Sequence, residues 1–150
     1  EKILERLALA EDKLEFEKRI PEALDVLKSS VEEIRNGQVE LEELAVSKKL
    51  SKDPDSYSGN VRTVLAANQL RDAGVEIHAG QQVKYIVTDA SADYPKNRVK
   101  PVQLASGEVY DRDWYIDRLV RAAEEILNPF SYTEKKIKRI IEGVNQKRLS

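Results

Sequence analysis

A chain of 150 residues with 41% hydrophobic and 35% charged side chains is long enough to bury a core and too apolar for a disordered polymer. It has no cysteine and a single histidine, which excludes disulfides, thiolate metal sites and histidine-rich metal centres. Its net charge of −2 argues against a uniformly basic nucleic-acid binder, and no apolar run approaches the roughly 18 residues of a membrane span.

The elements follow in chain order. Ile3, Leu4, Leu7 and Leu14 recur near helical spacing, which predicts a first helix. No signal-peptide pattern follows Glu1, and methionine is absent throughout, so the chain is expected to begin inside a longer polypeptide. Pro21 suits the first turn of a second helix, where its missing N–H has no partner anyway. Leu24, Leu27, Val31 and Ile34 share one face of that helix, and Asn36-Gly37 ends it. Residues 44–50 read as a short strand. Residues 51–60, rich in Ser, Asp, Pro, Gly and Asn, read as a loop. A third helix buries Val61, Val64, Leu65, Ala67 and Leu70 and stops at Gly74.

Val83, Tyr85 and Val87 alternate with Lys84, Ile86 and Thr88, as in a strand. Residues 89–101 read as an exposed loop. Asp111 or Asp113 caps a fourth helix that buries Ile116, Leu119, Val120, Ala123 and Leu127 and ends before Pro129. Thr133 caps a last helix with Ile137, Ile140, Ile141 and Val144 inward and Lys135, Lys136, Lys138 and Arg139 mostly outward. The expected fold class is α+β, mostly helical with a small antiparallel β element. The expected parts are a helical pair over 1–36, a core over 37–130, and a basic helix and tail over 131–150.

Charge is unevenly distributed. Residues 1–46 carry 7 basic and 13 acidic side chains, and 131–150 carry 6 and 2. Residues 47–62 carry 4 basic and 2 acidic side chains. The two basic islands suit local contact with a polyanion. Groups for catalysis are sparse. His78 has no second histidine or cysteine to complete a metal site. There is no P-loop, no GxGxxG and no GxSxG. Asp53 and Asp55 flank a proline in a loop, and Asp111 and Asp113 open a helix, so turn and capping roles account for them. The run Ser47-Lys48-Lys49-Leu50-Ser51-Lys52 is more informative. Alternation sends residues 47, 49 and 51 one way and residues 48, 50 and 52 the other. Ammonium groups interleaved with hydroxyls suit phosphate contacts.

In order, several segments resemble the thumb region of archaeal-type family B DNA polymerases. Residues 41–57, LEELAVSKKLSKDPDSY, resemble the family's LxxLVIxKxLTKxxxxY stretch. Residues 64–80, VLAANQLRDAGVEIHAG, resemble its HVxxAxxLxxRGxxIxPG helix and turn. Residues 83–87, VKYIV, resemble its VxYIV strand. Residues 110–116, YDRDWYI, with Ile126, Leu127 and Phe130, resemble YDxxYYIxxQxxxAxxRILxxF. The likeness covers roughly residues 22–132. Val61-Arg62-Thr63 replaces the family's Gly-Pro-His, and Ala79 stands where the family has proline.

The resemblance implies a part that closes over the primer–template duplex and contacts its sugar-phosphate backbone without reading sequence. Lys48, Lys49, Ser51 and Lys52 are the leading contact candidates, followed by Tyr57, Asn60 and Arg62. The free N–H groups opening the third helix would suit a phosphate. The family's palm motifs DTDS and SLYPS do not occur in this sequence. The resemblance therefore implies no catalytic or metal residue and no cofactor in this chain, with Mg²⁺ held by the missing palm. It implies no nucleotide incorporation by the isolated chain. The expected partners are duplex primer–template DNA, the palm and exonuclease parts of the polymerase, and no membrane. The expected location is the cytoplasm, at the nucleoid. Gln146 and Leu149 match the first half of a sliding-clamp-binding box, Gln-x-x-aliphatic followed by an aromatic pair. The contrasting expectation is a protein-interaction module, clamp- or subunit-binding, that leaves DNA untouched.

Overall fold

The computed structural model describes the backbone of residues 13–106 and 110–149, and the side chains of 17–106 and 110–142. Among the described residues the α-helices and strands run in order: α1 (Lys13–Arg35), α2 (Leu41–Leu44), β1 (Val46–Lys49), α3 (Arg62–Asp72), β2 (Gln82–Val87), β3 (Val99–Pro101), α4 (Arg112–Leu127) and α5 (Glu134–Leu149). Helix predominates, and the three strands form one antiparallel sheet in the order β1-β2-β3. The expected α+β class is therefore observed. The chain divides into two compact units. One comprises residues 1–38 and 115–150, the other Val39–Trp114.

The helical unit is built by apolar periodicity. Ile20, Ala23, Leu24, Leu27 and Val31 of α1 meet Val120, Ala123 and Leu127 of α4 and Ile137 and Ile141 of α5 in one buried cluster. Ile116, Leu119, Ile126, Phe130 and Ile140 pack around it. Full burial of each large aliphatic side chain contributes about 1.5–3 kcal/mol, so this cluster is the main stabilising feature of the unit. Pro21 corrects the sequence reading, because α1 runs through it rather than starting at it. An internal proline costs about 3 kcal/mol through a lost hydrogen bond and a ring clash. Ile20, Ala23 and Leu24 on either side are at most 8% exposed, and their burial offsets that cost. Of the first predicted helix, Ile3, Leu4 and Leu7 lie outside the described residues, while Leu14 falls in α1, so no break separates it from the second.

The end of α1 follows the sequence. Gly37 has φ 69, and the Gln38 N–H donates to the Glu33 carbonyl at 3.0 Å, closing the last turn in the left-handed conformation that glycine tolerates. Residues 128–130 form a single tight turn after α4, with Pro129 inside it. At α5 the Thr133 hydroxyl accepts from the Lys136 N–H at 3.2 Å, as a capping threonine does. Lys138 donates to Glu134 at 2.9 Å and lies 4.0 Å from Asp117, which itself pairs with Arg121 at 3.0 Å. The pairing with Lys138 holds the Glu134 carboxyl below its ordinary value and the Lys138 ammonium above its own.

The sheet unit sets α3 against β2 and β3, with Val64, Ala66, Ala67 and Leu70 buried. Val83, Tyr85 and Val87 form one face of β2 and are buried with Val46, Leu50 and Val99. Strand β1 starts at Val46 rather than at Leu44, which ends a four-residue helix, and it stops at Lys49. The segment 89–101, expected as loop throughout, contains a tight turn at Pro95–Asn97 and the edge strand β3. Three residues are too few for a readable period. Pro101 sits at the strand's end, where proline's missing donor matters least. The Gln69 side-chain amide donates to the carbonyls of Val99 at 2.9 Å and Lys96 at 3.2 Å, covering polar groups of that edge. Asp111 is the residue that caps α4. One carboxylate oxygen accepts from the Trp114 N–H at 3.0 Å, and the other accepts from the Ala90 N–H at 2.8 Å.

Candidate nucleic-acid interface

Strand register decides where the lysines of β1 go. Val46, Ser47, Lys48 and Lys49 stand opposite Tyr85, Lys84, Val83 and Gln82. Successive side chains of a strand point to opposite faces. Lys48 therefore shares a face with Val46, Val83 and Tyr85, while Lys49 shares the other with Ser47, Gln82 and Lys84. Both lysines are exposed, as is Lys84. The Ser47 hydroxyl donates to the Gln82 side-chain oxygen across the strands. On the same face Ile86 stands opposite Lys100. The three strands contain four lysines and no acidic residue.

The loop after β1 is held from within. The Tyr57 hydroxyl accepts from the Ser51 N–H at 3.0 Å and shares a hydrogen bond with the Ser51 hydroxyl at 2.9 Å. The Lys52 ammonium lies 4.8 Å from the centre of the Tyr57 ring, within cation–π range. The hydrogen bond from the Ser51 side chain is the main reason that the Tyr57 phenol is held below its ordinary value of 10.0. Arg71 of α3 pins the other side of the loop. Its guanidinium reaches Asp53 at 3.4 Å, Asp55 at 3.2 Å and the Ile77 carbonyl at 2.9 Å. The two carboxylates thus share one arginine. Among the described residues no group of three His, Cys, Asp or Glu side chains is placed to hold a metal ion.

At the start of α3, Asn60 is exposed and so is Val61, which was expected on the buried side but precedes the first helical turn, and no side chain caps the helix. Arg62 is half-buried. Its guanidinium carbon lies 5.3 Å from the centre of the Trp114 ring, and its Nε is buried without a hydrogen-bond partner. His78 is 66% exposed and its Nε2 lies 3.8 Å from Glu76, a surface position without a metal-site partner.

The structure therefore brings Ser51, Lys52 and Tyr57 into one cluster and separates Lys48 from Lys49 by face. Arg62 stacks on an aromatic ring. Gln146 and Leu149 fall in α5, but their side chains lie outside the described residues. Lys84 and Lys100 were missed by the sequence reading, which treated VKYIV only as a packing strand. The alternation of Lys84 with Val83 and Tyr85 already marks it as facing away from the core. The ensemble offers fixed ammonium and hydroxyl groups, the chemistry of backbone contact with a polyanion.

A family model described as DNA polymerase family B matches residues 1–130. DNA polymerase 2 of Aeropyrum pernix is 35% identical over 120 residues, covering 79% of this chain and 15% of the relative. DNA polymerase 1 of Saccharolobus solfataricus is 37% identical over 108 residues, covering 71% of this chain and 12% of the relative. The chain thus spans less than a sixth of the length of either relative. The fold is similar to part of the family B DNA polymerase from Pyrobaculum calidifontis, with a TM-score of 0.64 and 23% identity over 83% of this chain and 16% of that one.

Proposed function

The chain belongs to DNA polymerase family B, and from that premise we propose that it is a thumb fragment or small subunit that grips the primer–template duplex during DNA replication. It does so through the sugar-phosphate backbone and supplies no catalytic residue. The palm, with its Mg²⁺, and the exonuclease part belong to the rest of the polymerase. The observation that carries this reading is the set of exposed lysines on and beside β1. Strand pairing and the Tyr57 and Arg71 clasps hold that region in place.

Each ammonium that neutralises a phosphate releases a condensed counterion, so affinity falls steeply with salt and depends little on base sequence. The Ser51 hydroxyl and the N–H groups opening α3 supply directional hydrogen bonds beside those charges. Tyr57 serves as the support that orients Ser51 and Lys52. With few phosphates engaged, the chain alone binds weakly, at roughly 10⁻⁴–10⁻⁶ M at physiological salt.

Fluorescence anisotropy with a labelled primer–template duplex, titrated over salt, tests the reading. Replacing Lys48, Lys49 and Lys52 with alanine is expected to weaken binding to all sequences alike and to flatten the salt slope by up to about 0.9 per lost contact. An unchanged slope places the grip on another surface. With Mg²⁺ and nucleotides the chain alone is expected to extend no primer, and incorporation of a single nucleotide refutes that part.

A sliding clamp is proposed as a further partner on one observation, the three-residue spacing of Gln146 and Leu149. The aromatic anchors of such a box carry most of its energy. A pull-down with immobilised clamp, comparing this chain with a version extended by one residue and two phenylalanines, is expected to retain only the extended one.

A further inference from the structure

The register of the sheet assigns a lysine row that sequence order hides. Lys49 stands in the row of Gln82, Lys84 stands two residues further along the neighbouring strand, and Lys100 stands opposite Ile86, two residues further again. One step across a strand and two along it separates each from the next. The three lysines therefore form a straight diagonal across β1, β2 and β3 on a single face. Diagonal neighbours in an antiparallel pair lie about 7–8 Å apart at their Cα atoms, within reach of one lysine stem. Lys49 and Lys84 are exposed, with the bonded pair Ser47 and Gln82 beside them, and Lys100 is half-buried opposite Ile86, which the rest of the unit covers.

We propose that this diagonal, Lys49–Lys84–Lys100, is the track for one phosphodiester strand of the bound duplex. Lys48, on the opposite face, takes no part in it. The inference rests on the duplex-gripping reading and deepens it by naming the face. The occupant is argued from charge: a row of cations with no acid among the strand residues suits a linear polyanion. Ser47 and Gln82 restrain each other across the strands, so their polar atoms are presented to the backbone at little further cost in side-chain entropy. A protein partner anchored by apolar side chains finds no equivalent here, since the exposed positions of this face are polar.

The test uses the full chain and a primer–template duplex of fixed sequence, with affinities measured between 50 and 200 mM salt. Three contacts make the affinity of the parent chain fall roughly 40-fold over that range. Lys49→Gln and Lys84→Gln are each expected to lower the slope of log affinity against log salt by about 0.9. Lys84→Arg is expected to keep the slope. Lys18→Gln, at an exposed position of the helical unit, is expected to leave it within error. Circular dichroism of every variant excludes misfolding as the cause of a loss. If Lys48→Gln or Lys52→Gln carries the loss and Lys84→Gln does not, the grip stands but the track is overturned. If Lys49→Gln and Lys84→Gln both keep the parent slope, the track is likewise overturned. If the parent chain shows no salt-dependent binding at 50 mM, the gripping reading falls and the track with it. If Lys84→Gln loses the slope and Lys84→Arg restores it, both stand.

Discussion

In the helical unit, ten apolar side chains from three helices, Leu27, Val31 and Ile137 among them, form one buried cluster, and the ion pairs of Asp117, Glu134 and Lys138 are partly exposed. In the sheet unit an apolar layer is also present, but side-chain contacts to backbone and to charge do much of the joining. Gln69 covers strand-edge carbonyls, Arg71 gathers two aspartates and a carbonyl, and Asp111 ties a turn to a helix start. The difference separates two tasks. Apolar burial is non-directional and holds mass together. Directional polar contacts hold particular groups at particular places. The lysines proposed to meet DNA sit in the unit built by the second means.

If that division is correct, damage to the two units has different consequences. The largest expected effect is in the helical core. Leu27→Ala and Ile137→Ala, at 1% and 0% exposure, are each expected to cost about 2–5 kcal/mol. Chemical denaturation measures this, and the salt slope for duplex binding of the folded fraction is expected not to move. A changed slope would mean that the core also sets the contact surface.

Pro21→Ala is next. Restoring the missing N–H inside a continuous helix is expected to raise stability by up to about 3 kcal/mol. A loss of stability would show that the helix depends on the proline.

Arg71→Ala is expected to cost about 1–2 kcal/mol, chiefly from its charged hydrogen bond to the Ile77 carbonyl, since the exposed aspartates contribute little. Amide exchange over residues 51–60 is expected to quicken, with residues 20–31 unaffected. Equal quickening in both segments would erase the distinction between the units.

The smallest effect concerns Glu134 and Lys138. The folded carboxyl lies below its ordinary value of 4.5, so its contribution is present above that pH and is lost as pH falls through the lowered value. The folded ammonium lies above 10.5, so its contribution is present below that pH and is lost as pH rises through the raised value. A difference in stability between Glu134→Gln and the parent is therefore expected between pH 4.5 and 10.5 and is expected to shrink outside that window. A difference that persists well below the lowered carboxyl value would show that the ion pair is not its source.

The helices were legible because their signals are local and long. The spacing of Leu24, Leu27 and Val31, the glycine after Arg35, and the capping residues Asp111 and Thr133 each specify an element from a few neighbours in sequence. Pro21 was misread because its local preference for a first turn is outweighed by burial on both sides, which no local rule contains. Strand β3 escaped notice because three residues hold less than two periods of alternation.

Within the candidate site, the sequence by itself determined that Lys48 and Lys49 face opposite ways, because alternation along a strand is a property of the backbone alone. It also determined family membership, through motifs kept in order along the chain. Only the tertiary structure decided that Lys49, Lys84 and Lys100 share one diagonal. It alone decided that Tyr57 is tied to Ser51 and that Arg71 reaches Asp53 and Asp55. Strand pairing between residues 33 to 39 positions apart depends on which register buries the most apolar surface without leaving backbone groups unpaired. That balance is summed over the whole unit, so no single segment encodes it.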